Sequence, residues 1–172
     1  MKAVRLLAVL LAACLVVSSC GEPPAAPSVP APQADLIGSL LQPTGLLQCS
    51  ELPYESETRT IDALGGTVTA GPHKLVIPPG ALKQPTAITM SIRTGRDVNA
   101  VHFEPEGLQF DRSAALTMSY SNCNLLGRIL PKRIAYADDA LNVITYLLSF
   151  DNLWGKRVTG KLDHFSDYVV AW

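Results

Sequence analysis

From Thr58 onward, short runs of this sequence alternate apolar and polar residues with a period of two. Ile88, Met90 and Ile92 are separated by Thr89 and Ser91. Successive side chains of a β-strand point to opposite faces, so the alternation predicts a strand with one buried face. Similar runs predict further strands at Leu116–Tyr120, His73–Ile77, Ala100–Phe103, Ile134–Ala137, Val143–Ser149, Lys156–Leu162 and Tyr168–Trp172.

Turn-forming sequences separate these runs. Gly65 and Gly66 permit a tight turn with positive φ, and Pro78-Pro79-Gly80 ends a strand. Further turns are predicted at Glu104-Pro105-Glu106-Gly107, Asp138-Asp139 and Asp151-Asn152. About eight to ten short strands without a long helical pattern are typical of an antiparallel sandwich. We therefore expect an all-β domain over residues 58–172, an antiparallel β-sandwich of immunoglobulin-like architecture.

The first twenty residues have the organisation of an export signal. Lys2 and Arg5 precede Leu6–Val17, an uncharged apolar run too short to span a bilayer. The Val-Ser-Ser-Cys sequence that ends at Cys20 resembles the lipobox of bacterial lipoproteins. The resemblance implies that residues 1–19 are a cleaved signal peptide and that Cys20 is acylated, with palmitate among the attached chains. An ordinary secretory signal with a chance cysteine is the alternative.

Two segments are expected between the anchor and the domain. Residues 20–34 contain the acylated cysteine and a linker rich in proline and alanine, which predicts an extended tether of roughly 40 Å. Residues 35–57 contain several leucines, too apolar to stay in water, so we expect this segment to dock on the domain near Cys49.

Charge and cysteine content are consistent with an exported protein. After residues 1–19 are removed, twelve Lys and Arg remain against fifteen Asp and Glu, a net charge of −3. This balance gives no field for nucleic acid or anionic lipid, so membrane attachment is expected from acyl chains. Cys14 leaves with the signal, and Cys49 and Cys123 form an even pair that we expect to be disulfide-bonded. Two separate buried thiols are the alternative.

Three stretches together resemble the ZU-five domain, a β-sandwich of zonula-occludens proteins, netrin receptors and ankyrins. They are Gly65–Val68 with Leu75–Leu82, Val101–Phe110, and His164–Tyr168. The IPPGAL block within the first is the most specific. Bacterial lipoproteins that carry one ZU-five domain are similar to this chain over its whole length. Because the family serves mostly in structural and interaction roles, the resemblance implies binding or scaffolding and not catalysis.

The resemblance also implies one possible reaction. Some ZU-five domains of death-signalling proteins cleave themselves between Phe and Ser of a His-Phe-Ser sequence, which is present here as His164, Phe165 and Ser166. Ser166 would attack the Phe165 carbonyl while His164 took the hydroxyl proton. In those relatives a second sandwich follows, whereas here only one strand follows. The structural alternative is that Phe165 fills the core and Ser166 caps a bend.

Other chemistry has weaker support. The sequence lacks the usual hydrolase, zinc-protease and phosphate-binding motifs, and no cofactor or metal is expected. His73, His102 and His164 are scattered, and Asp138-Asp139 and Asp151-Asn152 are more typical of turns than of calcium sites. Six aromatic residues offer either a sugar-binding face or core packing: Tyr120, Tyr136, Tyr146, Trp154, Tyr168 and Trp172.

The sequence thus favours a non-enzymatic structural or protein-interaction module, lipid-anchored in the cell envelope and extracytoplasmic. The expected partners are the membrane, through the acyl chains on Cys20, and an envelope protein or cell-wall glycan, with no nucleic acid. Gly21 is not the aspartate that retains many lipoproteins in the inner membrane, so the outer membrane is favoured. The alternatives are self-cleavage at Phe165–Ser166 and carbohydrate binding. Tyr168–Trp172 is also a candidate edge strand for pairing with another chain.

Overall fold

The computed structural model describes residues 45–124 and 130–172. Within them the chain forms eleven β-strands and no helix. The strands are β1 (Ser56–Ile61), β2 (Gly66–Ala70), β3 (His73–Ile77), β4 (Thr86–Arg93), β5 (Ala100–Glu104), β6 (Gln109–Ser119), β7 (Arg133–Ala137), β8 (Val143–Tyr146), β9 (Ser149–Asn152), β10 (Arg157–His164) and β11 (Asp167–Ala171). Cys20, the predicted signal peptide, the predicted proline-rich tether and the start of the predicted docking segment lie outside the described residues.

Two antiparallel sheets form the predicted sandwich. One has six strands in the order β1-β4-β5-β11-β7-β8, and the other has five in the order β2-β3-β6-β10-β9. The alternating residues face the core as expected: Ile88, Met90 and Ile92 of β4 are buried, while the intervening residues are partly exposed. The predicted fold class is confirmed.

Two predictions about individual strands are wrong. Val143–Ser149 is not one strand, because β8 ends at Tyr146 in one sheet and β9 begins at Ser149 in the other. Tyr168–Trp172 is not an edge strand, because β11 lies between β5 and β7. All five residues of β11 are buried, so this strand has no free edge for another chain.

A smaller apolar cluster covers the outer face of the six-stranded sheet. It contains Leu46, Ala100, Ala135, Ala137, Leu141, Val169 and Ala171. Leu46 bridges to Ala171, and the Leu47 N–H donates to the Val170 carbonyl at 3.1 Å. The chain therefore reaches the domain at the end of β11.

The predicted glycine turn between β1 and β2 requires glycine for two reasons. Gly65 has a φ of +78°, a conformation that side chains with a Cβ rarely adopt. A Cβ at Gly65 would also lie 2.3 Å from the Ile77 carbonyl oxygen. No other residue fits there without a backbone shift.

Candidate functional site

The Cys49–Cys123 disulfide is present, as predicted, with an S–S distance of 2.01 Å. The two cysteines face each other in an antiparallel bridge. Backbone hydrogen bonds flank them, from Ser50 N to Asn122 O at 2.9 Å and from Asn124 N to Gln48 O at 2.8 Å. The bond fixes the segment that leads into the domain to the loop after β6.

The His164-Phe165-Ser166 sequence forms the tight connection from β10 to β11. The Phe165 ring is buried, stacked on Phe103 at 4.7 Å and edge-on to Phe110 at 5.0 Å. Its backbone is held on both sides, since Phe165 N donates to Leu108 O at 2.8 Å and Gly107 N donates to Phe165 O at 3.1 Å. Core packing and hydrogen bonds to one loop therefore define this turn.

The arrangement supplies only part of what self-cleavage needs. The Gly107 N–H polarises the Phe165 carbonyl in the way that an oxyanion-hole donor would. His164 Nδ1, however, lies 3.4 Å from that same oxygen, and a carbonyl only accepts, so this contact requires the proton on Nδ1. Over residues 45–124 and 130–172 no hydrogen bond joins His164 to Ser166. With its proton on Nδ1 in this contact, that nitrogen cannot take the proton of the Ser166 hydroxyl.

The three histidines occupy separate places. His73 faces the core from β3, His102 lies on the outer face of β5, and His164 ends β10. No group of three or more His, Cys, Asp or Glu residues suited to a metal ion occurs in the described ranges. His73 Nδ1 accepts from the Ser119 N–H at 3.1 Å, its Nε2 has no partner there, and burial lowers the His73 pKa to about 4.

The two aspartate pairs differ in position, because Asp138 lies in the turn before β8, as predicted, whereas Asp151 and Asn152 end strand β9 and the turn follows at residues 153–156. Asp138 accepts hydrogen bonds from the backbone of Ala140 and from the backbone and side chain of Asn142, and the bonds from Asn142 are the main reason that its pKa is lowered. Asp151 accepts from the Tyr120 hydroxyl at 2.7 Å and from Lys132 N at 2.8 Å. Their carboxylate oxygens are therefore already used within the fold.

A charged cluster that sequence reasoning missed lies on the outer face of the six-stranded sheet. The Asp167 carboxylate is buried, accepts from His102 Nδ1 at 2.9 Å and forms an ion pair with Arg93. Arg93 also donates to the Asp139 carbonyl at 3.1 Å. The cluster joins β4, β5, β11 and the loop before β8. Arg93 and Asp167 are 74 positions apart in the sequence. No local sequence motif therefore predicts that they pair.

The aromatic residues divide between core and surface. Tyr120 and Tyr168 are buried, and desolvation raises the pKa of each hydroxyl. Tyr136 and Trp172 are partly buried against the same core. Tyr146 and Trp154 are exposed, by 41% and 99%, but Tyr146 belongs to β8 of one sheet and Trp154 to the turn before β10 of the other. The two exposed aromatic residues therefore do not share one strand face.

Three further apolar side chains are exposed along one side of the sandwich. Ile144 is 56% exposed, Leu148 78% and Phe150 75%. They lie on β8, on β9 and on the link between them, and both strands are last in their sheets. We call Ile144, Leu148 and Phe150 the edge surface. Apolar residues are expected to be buried, but these three are exposed. The reason is that an edge strand has a neighbouring strand on one side only.

The opposite side of the sandwich is closed by side chains from β1 and the residue before it. Arg59 donates to the Thr67 carbonyl at 2.8 Å. Glu57 accepts from the Thr69 N–H at 2.6 Å and Glu55 from the Gly71 N–H at 3.1 Å. The edge backbone of β2 is therefore occupied. No side chain in the described ranges hydrogen-bonds to the backbone of β8. The β8 edge therefore lacks the side-chain partners that the β2 edge has.

Neither a scan of protein-family models nor a search of curated proteins returned a match to this chain. In the part of the chain that the structure describes, no helix is long and apolar enough to cross a bilayer.

Proposed function

We propose that this protein is a lipid-anchored, extracytoplasmic β-sandwich that binds an envelope protein and is not an enzyme. The observation that carries the proposal is the edge surface, where three exposed apolar side chains border the open backbone of β8. Natural proteins protect such edges with charge or cover them, because an open apolar edge pairs with other chains. An extended segment of a partner that adds beside β8 would satisfy both backbone and apolar groups.

Two sequence features support the location and the module type. The Val-Ser-Ser-Cys sequence ending at Cys20 supports an acyl anchor, and Gly21 favours the outer membrane. The resemblance to ZU-five domains supports an interaction role, and the observed sandwich is compatible with that family.

The anchor is tested by intact mass of the protein purified from its membrane, under denaturing and non-reducing conditions. We expect one chain that begins at an acylated Cys20 and is two hydrogens lighter than its reduced form. A chain without acyl groups would contradict the anchor.

The interaction role is tested by photo-crosslinking in the cells that make the protein. A crosslinking residue replaces Leu148, and the matched control replaces Leu64, which is 80% exposed in the β1–β2 turn. We expect a discrete crosslinked protein from position 148 only, and its loss in the variant Ile144→Lys, which adds charge to the edge. The same products from both positions, or none from position 148, would contradict the proposal.

Self-cleavage is the second candidate, favoured by the Gly107 N–H on the Phe165 carbonyl. The same mass measurement distinguishes it. A chain that ends at Phe165, with the peptide 166–172 released on denaturation and both abolished by Ser166→Ala, would establish self-cleavage and overturn the non-enzymatic proposal.

A further inference from the structure

The chain enters the described domain at one particular end of the sandwich. The Trp172 N–H donates to the Gly45 carbonyl at 3.0 Å, so Gly45 lies beside the end of β11. Ala171 of β11 pairs with Arg133, which begins β7. The first described residue, the end of β11 and the start of β7 therefore share this end of the molecule.

The turn between β9 and β10 lies at the same end. Lys132, which precedes β7, donates its N–H to Asp151 of β9 at 2.8 Å, and its ammonium lies 5.8 Å from the centre of the Tyr120 ring. The Tyr120 N–H in turn donates to the Lys156 carbonyl at 2.9 Å. Residues 153–156 are thus tied through these contacts to the place where the chain enters.

This turn has the composition of a membrane-contacting segment. Trp154 is 99% exposed and Leu153 is 50% exposed, next to Lys156 and the exposed Arg157. Asp151 is the only carboxylate between residues 147 and 161, and its oxygens accept from Tyr120 and Lys132. Tryptophan prefers the interface between headgroups and acyl chains, and cations are attracted to anionic headgroups. The local charge is therefore positive although the whole mature chain is acidic.

We propose that the Leu153–Trp154 turn inserts into the interface of an anionic bilayer, with Lys156 and Arg157 on the headgroups. The inference rests on the proposed anchor, because the 24 residues between an acylated Cys20 and Gly45 would connect the membrane to this end of the domain. The turn would orient the sandwich with its β8–β9 side accessible to a partner. The edge surface and the turn are then separate surfaces, one for protein and one for lipid.

The test uses the membrane-purified protein reconstituted into vesicles that contain brominated lipid, which quenches tryptophan on contact. Subtracting the spectrum of Trp154→Phe from that of the unmodified protein isolates Trp154 from Trp172. The matched control is Leu64→Trp in the Trp154→Phe background. Leu64 lies in the turn after Ile61, and Ile61 pairs with Thr86 at the start of β4. The other end of β4, at Arg93, is the one that lies towards Gly45, so position 64 is at the opposite end of the domain.

In vesicles of phosphatidylglycerol and phosphatidylethanolamine we expect blue-shifted, quenched emission from Trp154 and water-like, unquenched emission from position 64. The double variant Lys156→Gln/Arg157→Gln should weaken insertion roughly 25-fold, since each cation near an anionic leaflet contributes roughly fivefold. Its quenching should fall to the level seen in phosphatidylcholine vesicles.

Water-like, unquenched Trp154 emission in both vesicle types would overturn the inference, as would equal quenching at positions 154 and 64. A crosslinker at position 154 that captures protein and not lipid would also overturn it. Each of these results leaves the acylated mass and the crosslink at position 148 unaffected. If the mass shows no acyl group, the proposed anchor fails, and sedimentation of this protein and of the Lys156→Gln/Arg157→Gln variant with anionic vesicles still decides whether the turn binds lipid.

Discussion

His102 Nδ1 lies 2.9 Å from Asp167 Oδ1 across neighbouring strands of the six-stranded sheet. Because a carboxylate only accepts, Nδ1 carries the proton in this contact. The other oxygen of Asp167 pairs with Arg93. Asp167 thus neutralises the charge of Arg93 and orients the His102 ring from a central strand. Its own side chain is only 3% exposed.

The first prediction concerns this buried carboxylate. Asp167→Asn should lower the free energy of unfolding by about 3 kcal/mol, because Arg93 then lacks its charged partner in a partly buried site. Urea unfolding at neutral pH measures the loss. The control is Asp111→Asn, which breaks an exposed pair with Lys83 at 3.4 Å and should cost at most about 0.5 kcal/mol. Equal effects of the two substitutions would show that Asp167 is not an important ion-pair partner.

The second prediction concerns the disulfide, which joins residues 74 positions apart. Its reduction should lower the free energy of unfolding by about 4 kcal/mol, mainly because the unfolded chain gains freedom. Urea unfolding with and without reductant measures the difference. The variant Cys49→Ala/Cys123→Ala should be insensitive to reductant. A loss under about 1 kcal/mol in the unmodified protein would contradict the expectation.

The third prediction concerns acid stability. The pKa of His73 is about 4 in the fold, against an ordinary value of 6.5. Between these values the unfolded state binds a proton that the folded state does not, so stability falls as pH falls from about 6.5 towards 4. From pH 7.5 to pH 5 the His73 contribution amounts to about 2 kcal/mol. Unfolding at the two pH values measures it.

The control for this pH effect is His73→Asn, whose side-chain oxygen can still accept the Ser119 N–H. This variant should lose about 2 kcal/mol less between pH 7.5 and pH 5 than the unmodified protein does. Parallel losses in both proteins would mean that other groups cause the acid sensitivity.

The fourth prediction separates the structural role of the His-Phe-Ser turn from a catalytic one. Phe165→Ala should lower the free energy of unfolding by about 3–5 kcal/mol, because it removes a ring packed on Phe103 and Phe110. Phe150→Ala is the matched control, since Phe150 is 75% exposed and should change stability by at most about 0.5 kcal/mol. Ser166→Ala should leave the intact mass unchanged apart from the substitution itself. If the two phenylalanines behaved alike, Phe165 would not be a core residue.

The sequence predicted the local part of this structure because strand alternation is a property of neighbouring residues. Ile88, Met90 and Ile92 are buried for that reason, and Gly65 adopts the expected positive φ. The Cys49–Cys123 bond was also predictable, since these two cysteines were the pair left once Cys14 and Cys20 were assigned to the predicted signal and anchor.

Pairing between distant strands was decided by the tertiary structure. Whether β11 lies at an edge or between β5 and β7 depends on packing over the whole domain, and no residue of β11 encodes its neighbours. The same packing buries Asp167 beside Arg93 and His102. Nothing in the spacing of these three residues along the sequence indicates that they pair.

The sequence by itself determined the sandwich class and a set of apolar strands, and it predicts an export signal with a candidate lipid anchor. Only the tertiary structure decided which apolar residues stay exposed, because exposure depends on which strands lack a neighbour. Within residues 45–124 and 130–172 it leaves Leu148 and Phe150 exposed beside the last strands of the two sheets, and it ties the turn that carries Trp154 to the end of the domain that holds Gly45. Net charge and composition average over the chain, whereas binding depends on the few side chains that folding brings to one surface.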